Sequence, residues 1–393
     1  MKAARVVGAG ISGLAAAWCL CDAGYDVEVI EAGASPGGLI GTVDTPHGAV
    51  ERAANAFAWT DTTARWFKRL GIDAVFPLPS SSRKFIYRDG KPRRWPLKRT
   101  ETLAMGARLA LGYVTRRLRP RPEESVEAFV TRVAGRAASS WFVAPALQGV
   151  YGTSADRLSA QLVFSGRRRP RGGSAAPPGG MGEFIARLHE RLHERGVTFS
   201  FNAAATFVGG NVPTVVCTNA RAAATLVRSH ASTIADALDR VEMAGLETNT
   251  AFFEKRADDL EGFGVLFPAG AGISALGVLF NTCVFPQRGS LRSETWIYSL
   301  PGDVAPSSPS ERIVTDREIL TGRRHRLVAV HSTAWPAALP VYGQRILDVV
   351  SRLDQLPPWL ALSGNYLGQI GVSTLLARAE ETVAALVARA QYE

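Results

Sequence analysis

The stretch RVVGAGISG, residues 5–13, decides the fold because it fits the pattern G-x-G-x-x-G directly after a short apolar strand. Apolar residues recur at helical spacing after this turn, and Gly24 predicts the end of that helix. Gly8 permits a tight turn, Gly10 lets a pyrophosphate approach the backbone, and Gly13 lets the helix pack closely on the strand. The stretch therefore predicts a strand–turn–helix unit that binds the pyrophosphate of a dinucleotide.

An acidic residue closes the next predicted strand. Val27, Val29 and Ile30 form that strand, and Glu31 lies 18 residues past Gly13. A carboxylate about 20 residues after the glycine motif typically binds a ribose 2′-hydroxyl, and its negative charge disfavours the 2′-phosphate of NADP. The sequence therefore predicts a Rossmann-type domain that binds FAD or NAD.

The composition is that of a globular protein. The 393 residues are 46% hydrophobic, which excludes wholesale disorder, and four cysteines are too few for a disulfide scaffold. No apolar leader with a cleavage site opens the chain, so we expect a cytoplasmic protein with its cysteines as thiols. Two uncharged stretches, 137–155 and 262–287, are interrupted by proline and glycine, so neither is expected to span a membrane.

The net charge of +10 is concentrated in one segment. Between Arg83 and Arg121, thirteen basic residues face only Asp89 and Glu101, which gives this segment a net charge of +11. Such a segment attracts a carboxylated substrate, an acidic lipid surface or nucleic acid, although a solvated basic face is the better explanation on charge alone. No aromatic residues interleave the arginine-rich run 167–173, so nucleic acid is not an expected partner.

Hydrophobic periodicity predicts the remaining elements. Helices are predicted at 60–71, 123–142, 181–195, 220–228 and 372–389, and strands at 197–201, 214–218 and 359–362, with a sheet over 247–335. We expect residues 80–122 to be rich in loops, with a hairpin turn at 87–90, and residues 165–180 to form a flexible loop.

Further motifs indicate which family of Rossmann-type proteins the sequence resembles. EAGASPGG (31–38) resembles the extended nucleotide motif of the flavin amine oxidase superfamily, where a Gly-Gly pair follows the ribose-binding Glu. Other segments resemble protoporphyrinogen and coproporphyrinogen oxidases in family order, namely PALQGVYGT (145–153), GFGVLFP (262–268), WPAALPVY (335–342), GNY (364–366) and GV (371–372). The resemblance implies FAD as the cofactor.

The resemblance also implies a fold and a cofactor site. The fold is α/β, or α+β overall, with a Rossmann-type FAD-binding domain (1–75, 179–246 and 346–393), a basic helical insertion (76–178) and a substrate-binding sheet domain (247–345). The implied cofactor-binding residues are Gly8, Gly10, Ile11, Ser12, Gly13, Glu31, Ala32, Gly37, Gly38, Leu39, Thr218, Trp335, Gly364, Ile370, Gly371 and Val372.

The family chemistry implies a substrate and its contacts. A porphyrinogen, either protoporphyrinogen IX or coproporphyrinogen III, would be oxidised to a porphyrin in heme biosynthesis, with O₂ as electron acceptor and H₂O₂ as product. Asn55 would lie over the flavin, and no single acid or base is assigned. Arginine suits bidentate carboxylate pairing, so one or two cations of a basic cluster would bind propionates. The candidate substrate-binding residues are Arg93, Arg94, Lys98, Arg99, Gly149 and Val150.

Several departures leave alternatives open. Ser35, Ala220 and the pair Ser373-Thr374 differ from the family pattern, and the chain is short near 165–180 and 203–213. A related flavin oxidase acting on an amine or a secondary-metabolite intermediate remains an alternative, as does a non-catalytic FAD-binding protein. Peripheral contact with an anionic membrane and a homodimer are also left open.

One motif points to different chemistry. His189 and His193 fit H-E-x-x-H, and on a helix they would share a face. A zinc protease needs a third ligand, yet no His, Asp or Glu occurs between Glu194 and His230. No metal site is therefore expected.

Overall fold

The computed structural model describes residues 2–164, 172–206, 208–209, 212–300, 308–368 and 370–390. The strands are β1 (Lys2–Val7), β2 (Tyr25–Ile30), β3 (Thr42–Thr45), β4 (Gly48–Glu51), β5 (Phe57–Ala58), β6 (Lys84–Arg88), β7 (Lys91–Arg93), β8 (Ser174–Ala175), β9 (Thr198–Ser200), β10 (Thr214–Val216), β11 (Met243–Phe253), β12 (Gly264–Leu266), β13 (Gly277–Phe280), β14 (Arg292–Ser299), β15 (Leu327–Pro340) and β16 (Leu360–Leu362).

The helices are α1 (Ile11–Asp22), α2 (Asp61–Leu70), α3 (Arg99–Val114), α4 (Val126–Ala134), α5 (Arg136–Ala138), α6 (Ala144–Tyr151), α7 (Ala160–Phe164), α8 (Met181–Glu194), α9 (Ala220–Val227), α10 (Ser232–Asp239), α11 (Asn281–Val284), α12 (Pro309–Thr321), α13 (Gln344–Val350) and α14 (Val372–Ala390). Short 3₁₀ or π segments lie at Pro79–Ser82, Ser139–Val143, Pro286–Arg288 and Leu353–Gln355.

A five-stranded parallel sheet has the order β16-β10-β1-β2-β9. The central strand β1 pairs Val6 with Val29 on one side and with Val215 on the other, and all three side chains are buried. Along the chain, β2 and β9 extend the sheet on one side of β1, and β10 and β16 then extend it on the other side. Ligands bind such sheets outside the carboxyl ends of the strands where this order reverses, here between β1 and β10. The predicted Rossmann-type α/β fold is confirmed.

A seven-stranded sheet has the order β15-β11-β14-β13-β12-β6-β7 and contains the sheet predicted over 247–335. The prediction missed α12 within that stretch. Pro309 occupies the first turn of α12, and Gly322 ends the helix with a φ of 76°. The carboxylate of Asp316 on α12 accepts hydrogen bonds from the backbone N–H groups of Ser274 and Ala275, and these bonds attach the helix to the sheet domain.

The prediction that residues 80–122 are rich in loops was wrong for residues 99–114, which form helix α3. The carboxylate of Glu101, in the first turn of α3, accepts hydrogen bonds from Lys98 N at 2.8 Å and from both terminal nitrogens of the buried Arg88. These bonds fix the start of a sixteen-residue helix. The hairpin turn is confirmed, since Asp89 and Gly90 join β6 to β7 with φ of 53° and 73°.

The other helices and strands predicted from the sequence occur in the structure, except that one predicted helix is interrupted. The helix predicted over 123–142 is interrupted at Gly135, where φ is 95°, so α4 ends and a new turn begins. Residues 165–171 of the expected flexible loop lie outside the described residues, whereas Ser174 and Ala175 of that loop form β8. Among the described residues, no helix combines the length and apolarity needed to cross a membrane.

Candidate functional site

The glycine turn after β1 is closed on one side and open on the other. A Cβ on Gly13 would lie 1.8 Å from the carbonyl oxygen of Gly8, and a Cβ on Gly8 would lie 2.7 Å from the carbonyl oxygen of Cys217. At Gly10, by contrast, a Cβ would meet nothing within 4 Å. The turn therefore holds α1 tightly against the sheet and leaves space beside Gly10 for a ligand.

The N-terminus of α1 faces this space without a side-chain cap. The N-cap residue is Gly10, and the first turn, which includes Ile11 and Ser12, has no acidic residue. The first N–H groups of a helix have no partner within the helix, and the helix dipole adds partial positive charge. The arrangement is suited to binding a pyrophosphate.

The predicted Gly37-Gly38 pair lies directly beside the glycine turn. Gly37 N donates to Ala9 O at 2.9 Å, and a Cβ on Gly38 would lie 3.4 Å from the Cα of Gly10. Their φ angles of 119° and 59° favour glycine at both positions. Ala32 is exposed and Leu39 is half-buried on either side of this loop.

Glu31 follows β2 and reaches back to the same turn. One carboxylate oxygen accepts a hydrogen bond from Ala9 N at 2.6 Å, and the other accepts one from Gly33 N at 2.7 Å. Each carboxylate oxygen has a further lone pair, so the group can still accept hydrogen bonds from ribose hydroxyls. The structure therefore brings Glu31 and the glycine turn together, as the sequence predicts.

The ends of β10 and β16 complete the crevice. Cys217 N donates to Val7 O, and Ser363 N donates to Val216 O, so the carboxyl ends of the three strands are adjacent. The hydroxyls of Ser363 and Tyr366 are buried without a hydrogen-bond partner, and burial raises the pKa of Tyr366. Unpaired buried hydroxyls are costly, and a bound cofactor with polar groups would satisfy them. The sequence offered no signal that singled out Ser363 for this role.

Further predicted cofactor residues lie after β10, after β16 and at the start of α14. Thr218 follows Cys217, and its hydroxyl donates to Asn219 O at 3.2 Å. Gly364 packs beside Tyr366, since a Cβ there would lie 2.6 Å from the tyrosine ring. The residues at the start of α14 are Ile370, Gly371 and Val372, and the next residue, Ser373, donates to Ala58 O at 2.7 Å.

Trp335 belongs to the seven-stranded sheet and contacts the segment that follows β4. Its indole N–H donates to Arg52 O at 3.1 Å, and the guanidinium of Arg52 lies 4.8 Å from the centre of the indole ring. The hydroxyl of Thr248 donates to the same carbonyl at 2.9 Å. Arg52 N in turn donates to Gly41 O. Thus Arg52, which was not among the predicted site residues, links the seven-stranded sheet to the segment that precedes β3.

Asn55 is held by a buried ion pair that the sequence did not reveal. Arg288 donates to Asn55 O at 2.8 Å and to Asn55 Oδ1 at 3.3 Å. The same guanidinium lies 2.9 Å from Glu51, and these two charged side chains are 2% and 1% exposed. The carboxylate of Glu51 also accepts hydrogen bonds from Met181 N and from the hydroxyl of Thr42.

Burial shifts both members of this pair toward their neutral forms. It raises the pKa of Glu51, an effect that Arg288 and the two hydrogen bonds oppose, and it lowers the pKa of Arg288. Buried ion pairs rarely repay the desolvation of both charges. We infer that the pair fixes the position of Asn55 and contributes little net stability.

The predicted substrate residues lie in separate elements. The side chains of Arg93, Arg94, Lys98 and Arg99 are exposed at the end of β7 and the start of α3. Arg93 donates to Arg88 O at 3.1 Å, whereas the other three have no ion pair within the described chain. On α6, a Cβ on Gly149 would lie 2.7 Å from the side chain of Leu266, and Val150 is exposed.

In the H-E-x-x-H segment, His189 packs against aromatic rings, whereas Glu190 and His193 are exposed. His189 lies against Phe199, with ring centroids 4.4 Å apart, and against Phe201. Burial, together with the neighbouring His193, lowers the pKa of His189. The part of the chain that the structure describes has no cluster of three His, Cys, Asp or Glu side chains able to hold a metal.

Comparison with known proteins places this geometry in a family. The profile of the flavin containing amine oxidoreductases matches residues 11–227. The chain belongs to that family. It is therefore an FAD-dependent oxidoreductase, and the resemblance seen in the sequence is confirmed.

Individual relatives agree with this assignment. The chloroplastic protoporphyrinogen oxidase of Nicotiana tabacum is 24% identical over 96% of this chain and 84% of its own. Among solved structures, a proposed protoporphyrinogen oxidase of Exiguobacterium sp. 255-15 matches with a TM-score of 0.83 at 18% identity, covering 100% of this chain and 99% of its own. Reduced UDP-galactopyranose mutase matches with a TM-score of 0.78 at 14% identity, covering 99% and 94%. At such identities, the structural matches show the fold.

The residues of the crevice fit FAD. The open space beside Gly10 and the uncapped start of α1 suit a pyrophosphate. The carboxylate of Glu31 suits ribose hydroxyls. The unpaired hydroxyls of Ser363 and Tyr366 can form hydrogen bonds with other polar groups of the dinucleotide. Bound FAD supplies a hydride acceptor. The chain supplies the binding groups, and Arg288 orients Asn55.

Proposed function

We propose that the protein oxidises a porphyrinogen to a porphyrin, with O₂ as the electron acceptor and H₂O₂ as the second product. The observation that carries the proposal is the similarity to the tobacco protoporphyrinogen oxidase along 96% of this chain. A coproporphyrinogen III oxidase of Propionibacterium freudenreichii is also 28% identical, over 42% of this chain. The reaction would serve heme biosynthesis, and either porphyrinogen is a candidate substrate.

The proposed roles follow from the contacts of each residue. Asn55, fixed by Arg288, presents its amide to the substrate over the flavin. Lys98 and Arg99 are free to bind propionates because neither has an ion pair within the described chain. In each two-electron step the substrate would lose a hydride to the flavin and a proton to water, since no side chain is assigned as a general base, and the reduction of O₂ to H₂O₂ takes up an equal number of protons.

An amine substrate is the main alternative. Putrescine oxidase, solved with putrescine bound, matches with a TM-score of 0.74 at 17% identity, which shows a shared fold only. A protonated amine is best bound by a free carboxylate. The carboxylate beside Asn55 belongs to Glu51, and Arg288 already pairs with it. The pairing leaves this carboxylate no free charge with which to bind an ammonium group.

We further propose the domain division that the sequence predicts. The parallel sheet takes all its strands from residues 1–75, 179–246 and 346–393. The insertion (76–178) contributes β6, which pairs with β12 of the substrate-binding sheet. Limited proteolysis should cut first near the ends of the insertion and release no folded fragment from the three FAD-binding parts.

The deciding experiment offers substrates to the purified, FAD-loaded protein. Protoporphyrinogen IX, coproporphyrinogen III and putrescine are supplied in turn, and porphyrin fluorescence is recorded together with peroxide. We expect one porphyrinogen to yield both signals and to bleach the flavin under anaerobic conditions. The Asn55→Ala variant should keep the flavin spectrum and lose turnover. A flavin that stays oxidised with both porphyrinogens, or that only putrescine reduces, contradicts the proposal.

A further inference from the structure

Strand β15 forms one edge of the seven-stranded sheet and is much longer than the other edges of the two large sheets. It has fourteen residues and, among the described residues, pairs only with β11. The opposite edge, β7, has three residues, two of them charged and one a proline. The edges of the five-stranded sheet, β9 and β16, also have three residues each. Short or charged edges resist pairing with another chain, and β15 has neither protection.

One part of β15, residues 329–335, has a regular ladder on one side only. These seven residues, which we call the edge segment, pair without interruption with residues 246–252 of β11. A register shift at Val328 precedes the segment, and Pro336 follows it. None of the seven residues is buried. Alternate residues of an antiparallel strand direct their backbone N–H and C=O groups away from the neighbouring strand. The edge segment therefore offers a row of backbone groups able to pair with a further strand.

The edge segment lies in a long stretch of sequence without charged side chains. Between Arg326 and Arg345 there is no Lys, Arg, Asp or Glu. Arg326 is itself paired with Glu254. Edge strands commonly carry a lysine or another charge that opposes pairing, and this segment has none. Because the whole chain has a net charge of +10, two copies repel each other less at this edge than at a basic surface.

We propose that two copies of the chain pair through the edge segment, antiparallel and about a two-fold axis, so that their seven-stranded sheets join into one sheet. The same surface of each copy meets the other in such a contact, as in most protein dimers. The axis passes near Ser332, the middle residue of the segment. Seven facing residue pairs form about six to eight hydrogen bonds between the two strands, because alternate pairs exchange two bonds each.

Charge and side-chain size favour this arrangement. When the strands are antiparallel, Arg326 of one copy lies beside residues 336–340 of the other copy, which are uncharged. Parallel strands would place Arg326 beside its own counterpart, and like charges oppose pairing. The exposed side chains nearest the axis, Ser332 and Ala334, are small enough to let the two strands approach closely. A charged strand of another protein would find no countercharge here, whereas a second copy brings an equally uncharged strand.

The test is sedimentation velocity of the purified, FAD-loaded full chain over a range of concentrations from about 0.1 to 100 µM. We expect monomers and dimers in equilibrium with a Kd of roughly 1–10 µM, because an interface made mainly of one strand pair is small. Hydrogen exchange of the backbone amides in residues 329–335 should slow by at least about threefold between the dilute and the concentrated protein.

Two charged variants separate this contact from any other contact between copies. Ser332→Lys with Ala334→Lys, and Ser332→Glu with Ala334→Glu, each place like charges on both sides of the axis. Either variant alone should raise Kd by at least about a hundredfold. An equal mixture of the two brings opposite charges together and should dimerise with a Kd within about tenfold of the native value. Both variants lose the hydrogen bond from Ser332 to Asn249, so its loss cannot explain recovery in the mixture.

A matched control adds the same two charges elsewhere. Leu78→Lys with Val350→Lys changes two exposed side chains outside β15 and should dimerise as the native chain does. The flavin spectrum and Tm of each variant show whether it is folded. The proposal is overturned if the native chain stays monomeric at about 100 µM, if both charged variants dimerise alone, or if their mixture stays monomeric while each is folded. None of these outcomes bears on the proposed oxidation, which is assayed separately.

Discussion

The buried pair Glu51–Arg288 provides the sharpest test of the site geometry. We consider the change Arg288→Met, which keeps much of the side-chain volume and removes the charge. The carboxylate of Glu51, 1% exposed, then has no countercharge. Asn55 also loses the two hydrogen bonds from Arg288 that fix its position.

Leaving one partner of a buried pair alone costs about 3–5 kcal/mol. An unfolding entropy of about 2.1 cal/mol/K per residue gives about 0.8 kcal/mol/K for a chain of 393 residues. The change should therefore lower Tm by about 4–6 °C near pH 8. The double variant Glu51→Gln, Arg288→Met leaves no buried charge and should recover more than half of that loss.

The loss should also depend on pH. Burial already raises the pKa of Glu51 in the folded protein, and removing Arg288 raises it further. The folded state then binds a proton more tightly than the unfolded state, so acid favours folding. The Tm deficit of Arg288→Met should be full above the folded pKa of Glu51 and should shrink as pH falls toward the ordinary glutamate value of about 4.3.

Thermal unfolding followed by flavin fluorescence at about pH 8 and about pH 5 gives both quantities. Arg187→Met is the control, because Arg187 pairs with Glu190 at the surface and its loss should change Tm by about 1 °C or less. The reasoning is refuted if Arg288→Met unfolds at the native temperature. A double variant as unstable as the single one, or a deficit that does not change with pH, would refute it equally.

Three further predictions concern the crevice and the basic cluster. Gly13→Val should yield a colourless protein, because even a Cβ would lie 1.8 Å from Gly8 O, whereas Gly106→Ala, where a Cβ meets nothing, should stay yellow. Glu31→Gln should weaken FAD binding by about tenfold in a fluorescence titration, and Glu28→Gln should leave the affinity unchanged. Lys98→Gln with Arg99→Gln should raise KM for the porphyrinogen by about tenfold and leave the flavin spectrum alone. An unchanged KM would remove the propionate assignment.

The parallel sheet and its phosphate turn could be predicted because local spacing specifies them. The three glycines of the turn, Glu31 and the apolar strands lie within one short stretch, so their pattern is readable without tertiary information. Helix α3 was missed because its apolar side faces outward and its start depends on Arg88, a residue of another element. For α12, Pro309 and Gly322 were usable signals, since proline favours the first turn and glycine the position after a helix.

The residues of the candidate site likewise fall into two groups, those that local motifs predict and those that only long-range packing brings together. Residues in the glycine motifs could be assigned from sequence, whereas Arg288 could not, because it contacts Glu51 and Asn55 across more than 230 residues of sequence. Ser363 and Tyr366 were likewise missed as site residues, since an unpaired buried hydroxyl is a property of three-dimensional packing. Long-range contacts of this kind leave no periodic trace in one sequence.

The order of the parallel sheet also constrains when the holoprotein can form. During synthesis β1 leaves the ribosome long before β16 and the hydroxyls of Ser363 and Tyr366. A nascent chain thus presents the phosphate-binding turn long before the opposite wall of the crevice exists. Flavin capture should therefore follow the synthesis of β16, and a chain truncated before Leu360 should remain apoprotein however well its earlier portions fold.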